Sequence, residues 1–266
     1  MSRTVLITGA AHGLGRALVN EFLAREWGVI ATDTDELPLA DLLEKKRARV
    51  LNMDVTSDGS VQATFERLTK ENIQLDLIID NAGIDGYFPL SEAPVEQFKR
   101  VFEVNVFGMY RVNQMMLPLL KKPGGRIIMI SSESLNLALP FMPYPLTKRL
   151  VEGYAKAIRQ ELRFLGVDVV IIRPGAIRTR LLENVDRLRS NPGSWQLAKP
   201  FSRFAEGAVK EIGKTLSPER VAAFIHKVSS IPKPAAVYKI NNSLQLKIAS
   251  WLPFRLLEKV VLKKLS

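Results

Sequence analysis

The chain has 266 residues, 47% of them hydrophobic and 24% charged, which is ordinary for a globular protein and long enough for one α/β domain. It has no cysteine and only two histidines, so disulfides, thiol chemistry, thiolate metal sites and a histidine-rich metal centre are excluded. The net charge of +11 is compatible with nucleic acid, anionic lipid or acidic substrates, but no nucleic-acid-binding motif accompanies it, and we predict no nucleic-acid partner.

Short apolar runs alternate with amphipathic stretches, a pattern typical of parallel βαβ units. We predict strands at 4–8, 29–32, 50–53, 75–80, 126–130, 167–172 and 236–238. We predict helices at 13–26, 34–47, 57–70, 94–120, 145–165 and 218–229, with Pro118 kinking or stopping the fourth. The fold class is therefore α/β: one Rossmann-like, doubly wound parallel sheet of about seven strands with helices on both faces.

Two segments depart from this regular pattern. Residues 178–217 lose it, and we interpret them as an insertion that forms a lid over the substrate. Residues 243–266 form a basic amphipathic tail, which could lie in a membrane interface, cover the cleft or contact another subunit. Because no secretory signal and no membrane-spanning run is present, we expect a cytoplasmic protein, with peripheral membrane contact through the tail left open.

A glycine-rich turn joins the first strand to the first helix. It comprises Gly9, His12, Gly13, Leu14 and Gly15. Glycines there allow a tight turn and let backbone N–H groups approach a pyrophosphate at the helix N-terminus. Asp33 ends the next strand, where an acid can bind ribose hydroxyls and repel a 2′-phosphate. This favours NAD(H), although His12 could attract a 2′-phosphate and NADP(H) stays open. The alternative for the glycines is a plain tight turn, and the alternative for Asp33 is a helix N-cap.

Polar and small residues also follow the third and fourth predicted strands. Asp54 and Val55 come after the third strand, and Asn81, Ala82 and Gly83 come after the fourth. Carboxyl ends of parallel strands meet at one edge of an open α/β sheet, where ligands bind. These residues are therefore candidates for cofactor binding, and ordinary turn chemistry is the alternative.

Tyr144 and Lys148 lie four residues apart, on one face of a predicted helix. A nearby ammonium favours the phenolate, so we expect Lys148 to lower the pKa of Tyr144. A tyrosine tuned in this way can exchange a proton with an alcohol or ketone near neutral pH.

The ordered motifs identify a resemblance. They are Gly9-x-x-x-Gly13-x-Gly15, Asn81-Ala82-Gly83, Asn105, Ser131-Ser132, Tyr144-x-x-x-Lys148 and Pro174-Gly175. Over about residues 3–240 the chain resembles the short-chain dehydrogenase/reductase family. Its tail is similar to the C-terminal extensions of hydroxysteroid and retinol dehydrogenase-like members.

The resemblance implies roles for individual residues. Tyr144 would be the general acid/base, and Lys148 would lower its pKa and hold the nicotinamide ribose. Ser132 would polarise the substrate oxygen, and Asn105 would hold a water that links Lys148 to solvent. The nicotinamide end would be held by Pro174, Gly175, Ile177 and Thr179. A homodimer or homotetramer, paired through the helices carrying Asn105 and Lys148, is also implied.

Three features depart from the family pattern. Asp80 stands where an asparagine is often found, and we expect little effect. Ser131 and Ser132 both fit the catalytic serine; we prefer Ser132 from its place after the strand. Pro145 biases Tyr144 away from helical geometry, so we expect the helix to begin at Pro145 with Tyr144 at its cap.

Apolar residues are predicted to reach the substrate cleft. They are Ile84, Tyr87, Leu139, Phe141, Met142, Leu181, Leu182, Trp195 and Phe204. They favour a lipophilic, steroid- or retinoid-like substrate, although they could merely pack on the domain, and Arg178, Arg180 and Arg203 could instead meet an anionic group. We therefore predict an NAD(P)(H)-dependent oxidoreductase that interconverts a secondary alcohol and a ketone. The alternative is a nucleotide-sensing or membrane-docked scaffold without catalysis.

Overall fold

The computed structural model describes residues 3–178, 195–211 and 215–266. Much of the predicted lid lies outside these ranges. The same holds for four residues given a role above, Thr179, Arg180, Leu181 and Leu182.

The strands that the structure describes form one parallel sheet. They are β1 (Thr4–Thr8), β2 (Gly28–Asp33), β3 (Ala48–Asn52), β4 (Leu77–Asp80), β5 (Arg126–Ile130), β6 (Asp168–Pro174) and β7 (Val237–Ile240). Their order is β3-β2-β1-β4-β5-β6-β7. The strand order reverses between β1 and β4, and the crevice at such a switch point is where open α/β sheets bind ligands.

Helices cover both faces of the sheet, which confirms the predicted doubly wound fold. They are α1 (Gly13–Ala24), α2 (Asp58–Lys70), α3 (Val95–Phe102), α4 (Met109–Met116), α5 (Tyr144–Arg163), α6 (Ala198–Glu211), α7 (Pro218–Ser229), α8 (Leu244–Ala249) and α9 (Phe254–Leu265). Helices α1 and α7 pack on one face, and α2, α4 and α5 pack on the other. Each face buries its own apolar core, which drives the layered arrangement.

Two predicted helices are wrong in extent. The stretch 34–47 contains only a 3₁₀ turn, Leu37–Leu42, in which Leu39 and Leu42 are buried while Leu37 is exposed. A spacing of three between buried residues suits a 3₁₀ turn, so this segment has no α-helical stripe to bury. The predicted helix 94–120 is interrupted by a π-helical turn, Glu103–Gly108, and its last α-helical residue is Met116, shortly before Pro118.

The start of α5 also differs from the expectation. Tyr144 is its first helical residue and Pro143 its N-cap, so Tyr144 is not the cap. Pro145 then lies in the first turn, where its missing N–H removes no intrahelical hydrogen bond. The bias that a proline imposes on the preceding residue is therefore overridden here.

Candidate active site

The turn after β1 is held in a geometry that only glycine tolerates well. Gly9 and Gly13 have φ values of 65° and 52°, in the left-handed region. A Cβ atom on Gly15 would lie 1.9 Å from the Gly9 carbonyl oxygen, so no side chain fits there. Helix α1 begins at Gly13 without a side-chain cap, which leaves its first N–H groups for an anion such as a pyrophosphate.

Asn81 and Thr8 fix this turn to the end of β4. The Asn81 side-chain amide donates to the carbonyls of Thr8 at 2.9 Å and Gly9 at 3.0 Å. The Thr8 hydroxyl accepts from the N–H groups of Asn81 and Ala82, both at 3.0 Å. Thr8 was missed by the sequence analysis because a threonine at a strand end carries no distinctive signal.

Asp33 lies at the end of β2, beside the glycine turn. Its Oδ2 accepts a hydrogen bond from the Ala11 N–H at 2.9 Å, and its Oδ1 accepts from the Asp35 N–H at 3.2 Å. The carboxylate therefore organises the local backbone and also lines the cleft, while the N-cap of the following 3₁₀ turn is Glu36. His12 Nε2 lies 3.6 Å from an oxygen of Asp35, so its imidazole already faces an acid.

Asp54 combines turn chemistry with a place on the cleft wall. Its Oδ1 accepts from the Thr56 N–H at 2.8 Å and from the Thr56 hydroxyl at 2.7 Å, which shapes the turn before α2. Asp54 and Val55 also line the same cleft as the glycine turn.

Tyr144, Lys148 and Ser132 converge at the carboxyl end of β5. The Lys148 ammonium lies 5.3 Å from the centre of the Tyr144 ring and donates to the Ile130 carbonyl at 2.9 Å. Lys148 is 5% exposed. The Ser132 hydroxyl is close enough to Tyr144 to oppose a rise in its pKa, and both side chains line the same cleft.

The net shift of the Tyr144 pKa is upward, opposite to the direction expected from Lys148 alone. Burial raises the pKa of Tyr144 above its ordinary value, electrostatic interactions with Tyr87 and Asp85 add to the rise, and the nearby Ser132 hydroxyl opposes it. Burial also lowers the pKa of Lys148 to about 8. Tyr144 is therefore a protonated phenol at neutral pH, which is the form of a general acid.

The two adjacent serines have different surroundings. The Ser131 hydroxyl donates to Glu152 Oε1 at 2.8 Å, and Arg173 binds the same carboxylate through two hydrogen bonds of 2.9 and 2.6 Å. The Ser131 hydroxyl is therefore hydrogen-bonded to the buried Glu152–Arg173 ion pair. Both serines line the cleft, and the Ser132 hydroxyl lies 3.0 Å from that of Ser134.

Asn105 lies in the π-helical turn, behind the cleft wall. Its side chain accepts from the Ile84 N–H and donates to the Ile84 carbonyl, both at 2.8 Å, and it donates to the Thr147 hydroxyl at 3.2 Å. The amide thus ties the loop after β4 to α5. π-Helical turns are frequent at functional sites, and sequence patterns do not reveal them.

The loop after β6 closes the far end of the cleft. The Gly175 N–H donates to the Ile240 carbonyl at 2.8 Å, and a Cβ atom there would lie 1.9 Å from the Asn241 carbonyl oxygen. Glu133, which was not among the predicted site residues, accepts a hydrogen bond from the Ser243 N–H. This bond ties the turn after β5 to the start of the tail.

The structure brings most predicted cofactor and catalytic residues to one cleft of about 1670 Å³. They are Gly9, His12, Gly13, Leu14, Gly15, Asp33, Asp54, Val55, Asn81, Ala82, Gly83, Ser132, Tyr144, Lys148, Pro174, Gly175 and Ile177. An uncapped helix N-terminus, a strand-end acid and a buried ammonium along one cleft fit the phosphates, ribose and nicotinamide of a dinucleotide. The volume leaves room for a second ligand beside it.

The substrate end of the cleft is largely apolar. Ile84, Tyr87, Leu139, Met142 and Phe204 line it, as predicted. Two predicted lining residues lie behind the wall instead: Phe141 packs on Phe201 with ring centres 5.5 Å apart, and Trp195 packs on Phe201 at 5.4 Å. Arg203 lines the cleft, while Arg178 is exposed outside it.

The tail folds over this apolar end. Leu265 is buried against Phe141 and Phe201, and the Leu265 carbonyl accepts a hydrogen bond from Arg203 at 3.2 Å. Of the three placements left open by the sequence, cleft cover is the one that the structure displays.

Comparison with known proteins identifies the family. The model of the short chain dehydrogenase family matches residues 3–189. The chain belongs to this family. It is therefore an oxidoreductase of the short-chain dehydrogenase type that acts on CH–OH groups with a nicotinamide cofactor.

Relatives of this short-chain dehydrogenase include two curated reductases. An NADPH-dependent 3-dehydrocapnine reductase from Ornithobacterium rhinotracheale is 31% identical over 99% of this chain and 98% of its own. A 3-ketodihydrosphingosine reductase from Bacteroides thetaiotaomicron is 28% identical over 96% and 94%. A crystal structure from Burkholderia phymatum in complex with NAD shares the fold at a TM-score of 0.74 and 22% identity, covering 89% and 88%.

Proposed function

We propose that this dehydrogenase reduces a lipophilic ketone to a secondary alcohol, with Tyr144 as the general acid. The observation that carries the proposal is the placement of Tyr144, Ser132 and Lys148 together on the wall of a largely apolar cleft. A neutral phenol is the form needed to give a proton to a developing alkoxide. Both curated relatives described above are named as reductases.

The residues support a simple reduction chemistry. The nicotinamide cofactor supplies a hydride when bound. As the carbonyl carbon gains a C–H bond, the C=O π bond breaks, and the Tyr144 hydroxyl delivers its proton to the oxygen. Ser132 donates a hydrogen bond to the same oxygen, which stabilises the negative charge in the transition state. Lys148 is placed to stabilise the resulting phenolate before it regains a proton.

A cofactor-coupled screen tests this proposal. Steroids, retinoids, long-chain ketones and small ketones are each offered with NADH and NADPH, and absorbance at the reduced nicotinamide band is followed. We expect turnover with at least one lipophilic ketone and weaker turnover with small ketones, because the apolar cleft wall binds only the former well. Cofactor binding without turnover on the whole panel would instead favour the scaffold alternative.

We further propose that Asp33 makes the enzyme prefer NADH. Its carboxylate lies where it would repel a 2′-phosphate. Asp33→Asn keeps the shape and an oxygen for the Ala11 N–H, but it removes the charge. We expect the NADH-to-NADPH ratio of kcat/KM to fall by about 10-fold or more, since like-charge repulsion is worth several kcal/mol. Glu66→Gln, at an exposed acid of α2 outside the cleft, is the control. Unchanged preference in Asp33→Asn would contradict the assignment.

We propose that the outer face of the tail docks on anionic membranes. Trp251 and Phe254 are 77% and 62% exposed, and basic residues accompany them. The exposed apolar residues of the tail that do not line the cleft are Ile248, Trp251, Leu252, Phe254, Leu256 and Leu262. The exposed cations are Lys247, Arg255, Lys259 and Lys263. Aromatic and basic groups together suit an interfacial position. Within the described ranges, every helix is too short or too polar to span a bilayer.

Vesicle co-sedimentation tests this docking. We expect binding to phosphatidylserine-containing vesicles and little to phosphatidylcholine alone. The double variant Trp251→Ala/Phe254→Ala should bind about tenfold more weakly, because it loses interfacial aromatic area. Phe164→Ala, at a similarly exposed aromatic after α5, is the matched control. Equal sedimentation of the double variant and the control would contradict a role for the tail.

We also propose a homodimer or homotetramer that pairs through α4 and α5 with the turn before α4. Phe107, Tyr110 and Leu150 expose about half of their area there. Burying such apolar area would favour association. Light scattering should give a mass of two or four chains, and a monomer at micromolar concentration would contradict the proposal.

A further inference from the structure

A small cavity lies behind the catalytic lysine, between β4 and α5. Asp80, Lys148 and Asn105 line it together with apolar side chains. It is largely closed and has room for about one water molecule, the size at which buried polar groups commonly hold an ordered water.

Asp80 is the unusual member of this cavity. It is 6% exposed, and its Oδ2 accepts a hydrogen bond from the Asn113 side-chain amide at 2.9 Å. Its Oδ1 is buried and has no hydrogen-bond partner among the residues that the structure describes. An unsatisfied buried carboxylate oxygen is costly, and a water in the adjoining cavity would satisfy it.

Lys148 faces the same cavity with donors to spare. An ammonium has three N–H donors, and one of them is directed at the Ile130 carbonyl. A single water between the two groups could therefore accept from Lys148 and donate to Asp80.

We propose that Asp80 is a positioning residue for Lys148. Through a water in this cavity, the Asp80 carboxylate keeps the Lys148 ammonium protonated during turnover. The inference rests on the proposed function, since it concerns the lysine that supports Tyr144. The sequence led us to expect little effect of Asp80. Under this proposal Asp80 does have an effect, because its carboxylate adds a charge where the family often has a neutral amide.

The electrostatics agree with this geometry. Burial lowers the pKa of Lys148 to about 8, and the charge of Asp80 opposes that fall. Burial raises the pKa of Asp80 to about 7, and Asn113 and Lys148 oppose that rise. Each charged group therefore favours the charged form of the other. Tyr154 of α5 also faces Asp80, and its pKa is raised above the ordinary value, mainly by burial.

The test is the titration of Lys148, followed by ¹³C NMR of the lysine side chain in cofactor-free protein and assigned with Lys148→Arg. Asp80→Asn keeps the shape and removes the charge. We expect the Lys148 pKa to drop by about one pH unit or more, as a lost neighbouring charge does. The alkaline limb of kcat/KM should move to lower pH by the same amount.

Two further variants keep the test decisive. Asn113→Leu removes the donor to Asp80, favours its protonated form and should shift Lys148 in the same direction. Asp76→Asn, at a partly buried acid that binds Lys121 at the other end of β4, should leave Lys148 unchanged. An unchanged titration in Asp80→Asn would overturn the inference. Because the titration needs no substrate, absent turnover would count against the proposed function alone.

Discussion

Replacing Tyr144 by phenylalanine is expected to lower kcat/KM for ketone reduction by about 10²–10⁴, the range lost when a positioned general acid is removed. The substitution deletes one oxygen and keeps the ring, so helix α5 and the cleft wall stay in place. Cofactor affinity should change little, because Tyr144→Phe leaves the glycine turn, Asp33 and Lys148 untouched. Steady-state kinetics with the best ketone, together with a fluorescence titration of NADH, measure both quantities.

Tyr238→Phe is the matched control for this experiment. Tyr238 is also a half-buried tyrosine, but it lies in β7 and does not line the cleft. It should retain most of the activity. If both variants kept full activity, Tyr144 would not be the acid.

Replacing Lys148 by methionine is expected to lower kcat/KM by a similar order, about 10²–10⁴, since the buried charge that stabilises the Tyr144 phenolate is lost. Cofactor affinity should also fall, because Lys148 is proposed to hold the nicotinamide ribose. Lys156→Met, at an exposed lysine of the same helix, is the control and should leave both quantities unchanged.

The stability of the Lys148 variant gives a readout without substrate. The folded pKa of Lys148, about 8, lies below its ordinary value of 10.5. Between these values the unfolded chain binds more protons, so this group makes the free energy of unfolding rise with pH from about 8 to 10.5. Urea unfolding at several pH values should show that this rise is smaller in Lys148→Met than in Lys156→Met. Identical profiles would mean that Lys148 is not desolvated.

The sheet was predictable because its central strands are short apolar runs followed by turns. Thr4–Thr8 and Arg126–Ile130 were found with the bounds the structure shows, since burial on both faces leaves a continuous apolar signal. The interruption of the long helix at Glu103–Gly108 was not predictable. It depends on a close approach in three dimensions: a Cβ on Gly108 would lie 2.7 Å from Val55.

At the site, residue spacing was also predictable from the sequence, whereas the surroundings of each side chain were not. The four-residue spacing identified Tyr144 and Lys148 as candidates. Spacing could not choose between Ser131 and Ser132, because that choice depends on the buried Glu152, to which Ser131 donates a hydrogen bond. Spacing also gave the wrong sign for the Tyr144 pKa. The helical spacing predicts that the Lys148 ammonium lies near the Tyr144 phenol. The burial that outweighs its effect on the Tyr144 pKa depends on the fold and cannot be predicted from spacing.

The most direct test of the central claim is a single turnover with NADH carrying deuterium at the transferred position. The preferred ketone from the screen is the acceptor, and mass spectrometry locates the label. We expect one deuterium on the carbinol carbon of the alcohol product, with its formation slowed at least about 100-fold in Tyr144→Phe. Label that never reaches the alcohol, or equal rates in the wild type and Tyr144→Phe, would contradict the account.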